Sequence, residues 1–320
     1  MIMDGYGHRP GRHLEQRINL QPFGDFTTDQ KNMVTINRRR RYQIKGLISN
    51  NYFGRVYKAI QYPWYKAKAT KNVNVTIQVI NFAPAKSALY KRAENEIKYL
   101  RKLKNSKNVI TFRDWHEKGS TVIIKMKEYC TRNLFKRMEA ATRYGLLANR
   151  VISIFLPLLS NAVREMRSKK IVHLDLNPSN ILQWAGFDLA ESIDDGEELR
   201  FQSPRGTPGY TDPDALYNGI ATSKSDLYSV GAILYTVATG KKHSQGTTVS
   251  FTGSDDYEKW HLLWDFIRKL LNHELSLPEF YKYANKLVEI VKVSDGPQAK
   301  NISQPKKARW ANPFKKKTSP

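Results

Sequence analysis

The stretch HLDLNPSNILQWAGFDLAES, residues 173–192, brings together acidic and amide side chains that could carry chemistry. Asp175 and Asp188 are carboxylates, and Asn177 and Asn180 lie between them. Carboxylates can accept a proton, and carboxylate and amide oxygens can hold a divalent cation. Which of these roles is open to each residue depends on the elements that position it.

The composition limits the kinds of site that the chain can build. Cys130 is the only cysteine, so a disulfide within the chain and a zinc site of the usual multi-thiolate kind are excluded. The longest apolar run, residues 151–163, is too short and too interrupted to span a bilayer, and the first ten residues lack the apolar stretch of a signal peptide. We therefore expect an intracellular protein, cytoplasmic or nuclear, without a membrane span.

The net charge of +24 is distributed over both ends of the chain and the part between them. Such a charge favours encounters with nucleic acid, anionic lipid or acidic protein surfaces. Residues 1–41 and 292–320 are polar, rich in turn-forming residues and basic, so we expect little fixed structure in either. The clusters at residues 306–309 and 315–317 could direct nuclear entry or contact phosphates.

The hydrophobic periodicity changes once along the chain. Period-two and β-branched segments predominate from Tyr42 to about Lys127, with the helical stretch ALYKRAENEIKYLRKLKN among them. Beyond Tyr129 the apolar spacing is helical, and this order predicts an α+β protein with two lobes. The predicted organisation is a basic extension over residues 1–41, a β-rich lobe over 42–129, a helical lobe over 130–291 and a basic tail over 292–320.

Residues 42–291 resemble the eukaryotic protein kinases in the order and spacing of their motifs. His173-Leu174-Asp175-Leu176 followed by Asn180 matches the catalytic loop H-x-D-L-x-x-x-N. The segment GTPGYTDPD at 206–214 is similar to the end of an activation segment, and SDLYSVG at 225–231 is similar to the start of the buried helix that follows it. The resemblance implies a bilobal kinase fold with a small β-rich N-lobe and a larger helical C-lobe.

The resemblance also implies roles on the side of the phosphate acceptor. Asp175 would accept the proton of a substrate hydroxyl, and Asn180 would hold a metal ion. Asn177 stands where these enzymes often carry a lysine that steadies the transferred phosphate, and Thr207 would be a positioning hydroxyl. Leu174 replaces an arginine that often reads activation-loop phosphorylation, so we do not expect that switch.

One further departure concerns the scaffold of the second lobe. Asp214 replaces the glutamate of the Ala-Pro-Glu motif, and no late-helix arginine stands out as its partner. We therefore expect other contacts to hold this part of the lobe.

On the nucleotide side, most of the residues that the family uses are replaced. In the glycine-rich turn G-x-G-x-x-G-x-V, only the third glycine remains, and Gln78 replaces the strand lysine that pairs with a helix glutamate, here Glu96. A neutral amide forms weaker hydrogen bonds to phosphate than a cation does. Lys58, Arg55 or Lys127 could supply the missing charge from a neighbouring strand. The residues that the resemblance assigns to the nucleotide are Ser49, Asn51, Gly54, Val56, Gln78, Glu96 and Glu128.

The metal-binding triplet Asp-Phe-Gly of the family is replaced by Gly186-Phe187-Asp188. Aligning the phenylalanine puts glycine at the chelating position, and only residues 181–185 separate it from Asn180. In an alternative register Asp188 itself is the metal ligand, and in a third interpretation it is only a turn residue. The implied cofactor is ATP with Mg or Mn, bound weakly or not at all.

Three hypotheses about function follow. The first is a pseudokinase that acts by binding another protein, such as an active kinase or its substrate. The second is an active, divergent Ser/Thr kinase with Asp175 as the base, Asp188 on the metal and a nearby Lys or Arg in place of Gln78. The third is a nucleic-acid-associated binding module that uses the basic ends of the chain.

Overall fold

The computed structural model describes residues 23–24, 26–29, 31–37, 40–50, 53–62, 72–82, 87–127, 148–180, 186–244 and 257–294. Within these residues one antiparallel sheet of seven strands precedes a helical region, in the strand order β1-β2-β3-β4-β5-β7-β6. The strands are β1 (Thr27–Thr28), β2 (Met33–Asn37), β3 (Arg40–Asn50), β4 (Arg55–Tyr62), β5 (Val73–Asn81), β6 (Phe112–Lys118) and β7 (Thr121–Lys127).

Strand β5 lies inside the sheet, between β4 and β7, and carries Gln78. Its residues 75–80 are all buried, because apolar groups cover the sheet on both faces. In the register of the sheet, Gln78 lies opposite Val56 of β4 and opposite Ile124 of β7. The side chain that replaces the strand lysine is therefore fixed in the interior of the β-rich lobe.

Helix α1 (Ala88–Lys102) covers one face of the sheet. Ser87 caps its N-terminus by accepting a hydrogen bond from the backbone N–H of Tyr90, which satisfies one of the free donors of the first turn. Ala93, Ile97 and Leu100 recur at helical spacing and are buried in the main core. This packing fixes the rotation of α1 and so decides where its polar residues point.

The segment before β3 covers the other face of the sheet. Phe23 and Phe26 are buried against Tyr42 and Tyr57 in a second apolar cluster, and β2 pairs with β3. The expectation of little fixed structure over residues 1–41 is therefore wrong for the described part of 23–37. The physical reason is that two phenylalanines and a short strand pair complete a sheet face that would otherwise be exposed.

The helical region contains α2 to α6. Helix α2 (Ala148–Arg150) continues through a π-helical turn (Val151–Phe155) into α3 (Leu156–Arg167); the other helices are α4 (Ser225–Thr239), α5 (Tyr257–Leu271) and α6 (Leu277–Ser294). Residues 225–237 of α4 are all buried. A Cβ on Gly231 of α4 would lie 2.9 Å from Cβ of Leu270, so a glycine at this position lets α4 and α5 pack closely.

Short strands and turns hold the segment between α3 and α4. Strand β8 (Ile171–Val172) pairs with β9 (Glu191–Ser192), and β10 (Glu198–Arg200) pairs with β11 (Ile220–Thr222). A 3₁₀ turn (Phe187–Leu189) precedes β9, and a π-helical turn (Asp214–Asn218) precedes β11. The pairing of β8 with β9 brings the two ends of the 173–192 stretch together.

The predicted α+β fold with a sheet lobe and a helical lobe is confirmed by this architecture. The domain limits remain predictions, because residues 128–147 and the basic clusters of the C-terminal end lie outside the described residues. Nucleic-acid binding through those clusters likewise remains a prediction. None of the described helices combines the length and apolar character that crossing a membrane requires.

Candidate functional site

A cavity of about 540 Å³ lies between the sheet and the loops of the helical region. Its volume is in the range of small-molecule sites. The candidate residues Ser49, Val56, Gln78, Asp175, Asn177, Asn180 and Asp188 line it, together with Gly186, Thr207 and Arg92. Asn51 and Glu128 lie outside the described residues.

Asp175 accepts hydrogen bonds from two side chains in this cavity. Thr207 Oγ1 donates to Asp175 Oδ1 at 2.6 Å, and Asn180 Nδ2 donates to Asp175 Oδ2 at 3.1 Å. Burial raises the pKa of Asp175 to about 6, while the hydrogen bond from Thr207 acts in the opposite direction. The carboxylate is therefore mainly ionised at neutral pH and can accept a proton.

Asn177 organises the loop around Asp175. Its Nδ2 donates to the backbone carbonyl of Asp175 at 3.1 Å and to Thr207 Oγ1 at 3.2 Å, and its Oδ1 accepts from the backbone N–H of Ser179 at 2.9 Å. These bonds orient Thr207 toward the carboxylate. The neutral amide supplies no charge for a phosphate group.

Asp226 at the start of α4 anchors the backbone of the same loop. Its carboxylate accepts the backbone N–H groups of His173 at 2.8 Å and Leu174 at 3.0 Å. Leu174 is held at φ +63°, a left-handed conformation that costs a leucine about 1–2 kcal/mol. Burial raises the pKa of Asp226 to about 6, although the two N–H groups favour the carboxylate.

The site also includes Gly186 and Phe187, which lie at the start of the 3₁₀ turn. The Phe187 ring lies 4.5 Å from the His173 ring, centroid to centroid. Gly186 has φ +81°, and a Cβ at this position would lie 2.9 Å from Asn180 Nδ2. A side chain at position 186 would therefore crowd Asn180 and strain the backbone, and the glycine offers no carboxylate there.

Asp188 is engaged by an arginine of α1. Arg92 Nε donates to Asp188 Oδ2 at 2.7 Å, and Arg92 Nη2 forms an ion pair with the same oxygen. The Asp188 side chain is 6% exposed. Burial raises the pKa of Asp188, and the Arg92 guanidinium opposes this shift by stabilising the carboxylate.

Glu96, one helical turn after Arg92, is fully buried, and no described residue forms an ion pair with it. Its Oε1 accepts the backbone N–H of Gly186 at 3.3 Å, and its Oε2 has no hydrogen-bond partner among the described residues. Burial raises the pKa of Glu96 well above its usual range, and the charge of Asp188 adds to this effect. Burial thus favours the neutral form of Glu96, whose usual cationic partner is replaced by Gln78.

Three residues of α1 fasten the helix to the turn at residues 186–190. Besides the contacts of Arg92 and Glu96, Asn95 Nδ2 donates to the backbone carbonyls of Asp188 at 3.1 Å and Ala190 at 2.7 Å. Positions 92, 95 and 96 share one face of the helix. This face links α1 to the start of the activation segment.

The described cations that line the cavity are not among those that the sequence suggested. Arg55 Nε donates to Asn50 Oδ1 at 3.1 Å, Lys127 is exposed, and neither they nor Lys58 are among the described residues that line the cavity. The lining residues therefore give no support to the replacement of the lysine by one of these three, which stays a prediction. The spacing of Arg92 and Glu96 is the one signal in the sequence, because residues four positions apart share a helix face, but this spacing does not say what the face contacts.

The glycine-rich turn closes tightly on the sheet. A Cβ on Gly54 would lie 2.6 Å from the carbonyl oxygen of Val79, which explains why this glycine is needed. Phe53, just before it, is buried in the main core, and the Arg92 guanidinium carbon lies 5.3 Å from the centre of its ring. Phe53 thus contacts the arginine that holds Asp188.

Among the residues that the structure describes, the donors at the metal position do not fit a magnesium ion. Mg²⁺ demands oxygen ligands in near-octahedral geometry, usually with one or two carboxylates. Gly186 has no side-chain oxygen, and Arg92 engages Oδ2 of the buried Asp188. Asn180 directs its amide nitrogen toward Asp175.

A buried carboxylate of the helical lobe finds a partner other than arginine. Asp212 Oδ1 lies 3.5 Å from His273 Nε2 at the end of α5, and the His273 ring stacks on Tyr228. Asp214, which aligns with the glutamate of the Ala-Pro-Glu motif, is exposed and accepts from Asn218 Nδ2 at 2.9 Å. Asp212, rather than Asp214, thus contacts the residues that follow α5.

These features define a class of protein: a sheet lobe and a helical lobe enclose a cleft with a catalytic-loop aspartate and the start of an activation segment. The sequence matches the protein kinase domain family over residues 42–294. Because this match covers most of the chain, the chain belongs to the protein kinase domain family.

The relatives that the chain matches are protein kinases. It is 27% identical over 233 residues to a probable cyclin-dependent serine/threonine-protein kinase of Dictyostelium discoideum, covering 70% of this chain and 15% of that protein. It is 28% identical over 223 residues to human serine/threonine-protein kinase ULK1, covering 64% and 20%, respectively. Identity to human death-associated protein kinase 2 is 28% over 204 residues, covering 57% and 54%. The chain thus spans about half or less of the length of these relatives.

Proposed function

We propose that this chain is a pseudokinase, a kinase-shaped domain with weak or no phosphotransfer that acts by binding another protein, for instance an active kinase. The observation that carries the proposal is the bond between Arg92 and Asp188. It engages the carboxylate nearest the metal position, while Gly186 offers no other. Gln78 replaces the strand lysine, so the positive charge that the family places beside the phosphates is missing from this position.

The size of the expected defect follows from the mechanism of phosphoryl transfer. This reaction depends mainly on positioning and charge neutralisation rather than on covalent chemistry by the protein. Removing one such electrostatic contact typically costs about 10² to 10³ in rate. The strand lysine and the metal carboxylate are both replaced here, and although such losses do not simply add, little turnover should remain.

A phosphotransfer assay tests the proposal. Purified protein is incubated with Mg-ATP or Mn-ATP and a generic basic or acidic protein acceptor, beside Asp175→Asn as the control that removes the candidate base. Because both proteins would lack an effective nucleotide site, we expect equal background rates. Robust turnover that Asp175→Asn abolishes would refute the proposal.

The protein-binding role has its own test. If the kinase shape acts by binding, a gene that carries Asp175→Asn should replace the natural gene in its host without loss of function. A substitution that unfolds the domain should not replace it. Loss of function with a folded Asp175→Asn protein would argue for chemistry at this carboxylate.

The second candidate is an active, divergent Ser/Thr kinase. It is favoured by the intact acceptor side, where Asp175, Thr207 and Asn180 are joined by hydrogen bonds. It requires Asp188 to leave Arg92 and bind metal, with Arg92 then free to contact phosphate. Thermal unfolding with ATP, with and without Mg²⁺, distinguishes the two candidates: a metal-dependent rise in Tm that disappears in Asp188→Ala would support the active kinase.

A further inference from the structure

The cleft has two chemically different halves. Ile48, Val56, Ile110 and Met126 give one half an apolar lining. Ile110 and Met126 are fully buried, so their side chains are fixed parts of the lining. Such a surface suits a flat, largely apolar group.

The other half carries little usable positive charge. Arg92 lies there with its side chain 27% exposed, but its guanidinium is bound to Asp188. Arg205 also lines the cavity, and it pairs with Glu191 at 2.8 Å and stacks over the Phe201 ring. Asp175 adds a carboxylate without a basic partner in the bonds described above. Among the described lining residues, each arginine is therefore matched by an acid, and one acid is left over.

This charge pattern opposes a triphosphate. A nucleotide bound by its base in the apolar half would direct its phosphates toward Asp175 and Asp188. Like charges in a partly buried cleft repel more strongly than in water. A divalent ion cannot offset the repulsion, because the donors do not fit one.

We propose that the cleft binds an uncharged nucleoside, for which adenosine is the probe, more tightly than the corresponding triphosphate. Divalent cations do not change this order of affinities. Asp188 is the residue that sets the preference, because it cancels the charge of Arg92. The proposal rests on the proposed function, since it assumes a kinase cleft that no longer handles Mg-ATP.

Calorimetric titration of the whole chain with adenosine, AMP, ADP and ATP tests the order of affinities. Each series is run in EDTA and in excess Mg²⁺. We expect adenosine to bind most tightly and ATP at least about tenfold more weakly, a difference of the size that one unfavourable charge contact gives. Replacing EDTA with Mg²⁺ should leave the adenosine affinity unchanged and should not bring ATP above adenosine.

The variant Asp188→Asn tests the residue assignment. Without the carboxylate, the Arg92 guanidinium can contact phosphate, so ATP affinity in EDTA should rise about tenfold or more while adenosine affinity stays the same. The matched control is Asp195→Asn, the same change at a side chain that is 76% exposed and paired with Arg167. The control should behave as the natural chain does. Thermal unfolding without ligand verifies that both variants are folded.

Several outcomes would overturn the proposal: ATP binding more tightly than adenosine, ATP binding that requires Mg²⁺, no binding of adenosine, or no gain for ATP in folded Asp188→Asn. These results are separable from the fate of the pseudokinase proposal. Tight ATP binding without phosphotransfer would remove this inference alone, whereas turnover that depends on Asp175 would remove the proposed function.

Discussion

At the scale of single residues, Arg92 and Asp188 change the chemistry of the cleft most. In this family a strand lysine pairs with the helix glutamate and a metal ion neutralises the triplet aspartate. Here one arginine from α1 neutralises the carboxylate of the turn, and Glu96 is buried with no ion pair to another part of the described structure. Arg92 thus neutralises the Asp188 carboxylate, a role that a metal ion fills at the triplet aspartate of the family.

A double-mutant cycle measures this contact. Arg92→Met leaves the buried Asp188 charge unpaired, so we expect a loss of about 2–3 kcal/mol in the free energy of unfolding, less than for a fully buried pair because Arg92 is partly exposed. Asp188→Leu combined with Arg92→Met should recover most of the loss. Urea denaturation of the four proteins provides the data, and additive effects of the two changes would contradict a direct pair.

Gly186 offers a second residue-scale prediction, with a matched control in Gly196. Both glycines have φ above +80°, but a Cβ on Gly196 meets nothing within 4 Å, whereas one on Gly186 meets the Asn180 amide at 2.9 Å. Alanine at either site carries a backbone cost of about 1–2 kcal/mol. Gly186→Ala should cost measurably more, by thermal or urea unfolding. Equal costs would mean that Asn180 can move away freely.

The sequence predicted the residue-scale site in part. Asp175, Asn177 and Asn180 lie within six positions of one motif, so a single loop brings them together in the way the spacing suggested. Arg92 was missed because it reaches Asp188 across 96 positions of the chain, through the packing of α1 on the activation segment. Such a contact depends on helix rotation, which local spacing does not specify.

At the scale of elements, α1 is attached to the turn at residues 186–190 through its own polar face. Arg92, Asn95 and Glu96 make these contacts with side chains and backbone of the turn. The helix position therefore does not depend on a bond to Gln78 in β5. A helix held in this way needs no nucleotide to stay in place, which suits a domain that acts through its shape.

The segment before β3 gives an element-scale prediction. Phe23 is fully buried beside Tyr57, with ring centroids 5.2 Å apart, so Phe23→Ala should lower the free energy of unfolding by about 3–5 kcal/mol. Thr27→Ala, at an exposed position in β1, is the control and should have little effect. Denaturant unfolding compares the two. An unchanged stability in Phe23→Ala would mean that this segment does not cover the sheet.

The same segment limits which deletion can be used to test nucleic-acid binding by the basic N-terminal end. Deleting residues 1–41 would remove Phe23, Phe26 and β2 and would expose the sheet face. Deletion of residues 1–22 removes the N-terminal part without this damage. The sequence did not predict these strands because they have only two and five residues, and the two phenylalanines lie outside them.

At the scale of the whole molecule, buried carboxyls couple stability to pH. Burial raises the pKa of Asp226 to about 6 from the ordinary 3.8. Between these values the folded state binds more protons than the unfolded state, so this group lowers the free energy of unfolding as pH rises from about 4 to about 6. The shift corresponds to at most about 3 kcal/mol.

Asp226→Asn should therefore flatten that part of the pH profile, whatever it does to absolute stability. Urea denaturation at intervals between pH 4 and pH 7 measures the slope. The exposed Asp195→Asn serves as the control and should keep the natural slope. If Asp226→Asn and the natural chain lose stability equally over this range, the buried carboxyl is not the cause.

The overall fold was the most predictable feature, because it rests on the change from period-two to helical spacing and on several motifs in order. The residue at the metal position was less predictable. The sequence gives Gly186 and Asp188 as alternatives for one role, and only the three-dimensional contacts of Asn180 and Arg92 distinguish their surroundings.

The most direct test of the account compares the initial rate of phosphate transfer from labelled Mg-ATP or Mn-ATP by the natural chain and by Asp175→Asn, at equal concentrations of folded protein. A cleft without an effective charge arrangement for the triphosphate predicts equal rates at the background level. A rate for the natural chain more than about tenfold above that of Asp175→Asn, well beyond what a contaminating kinase shared by both preparations could give, would contradict it.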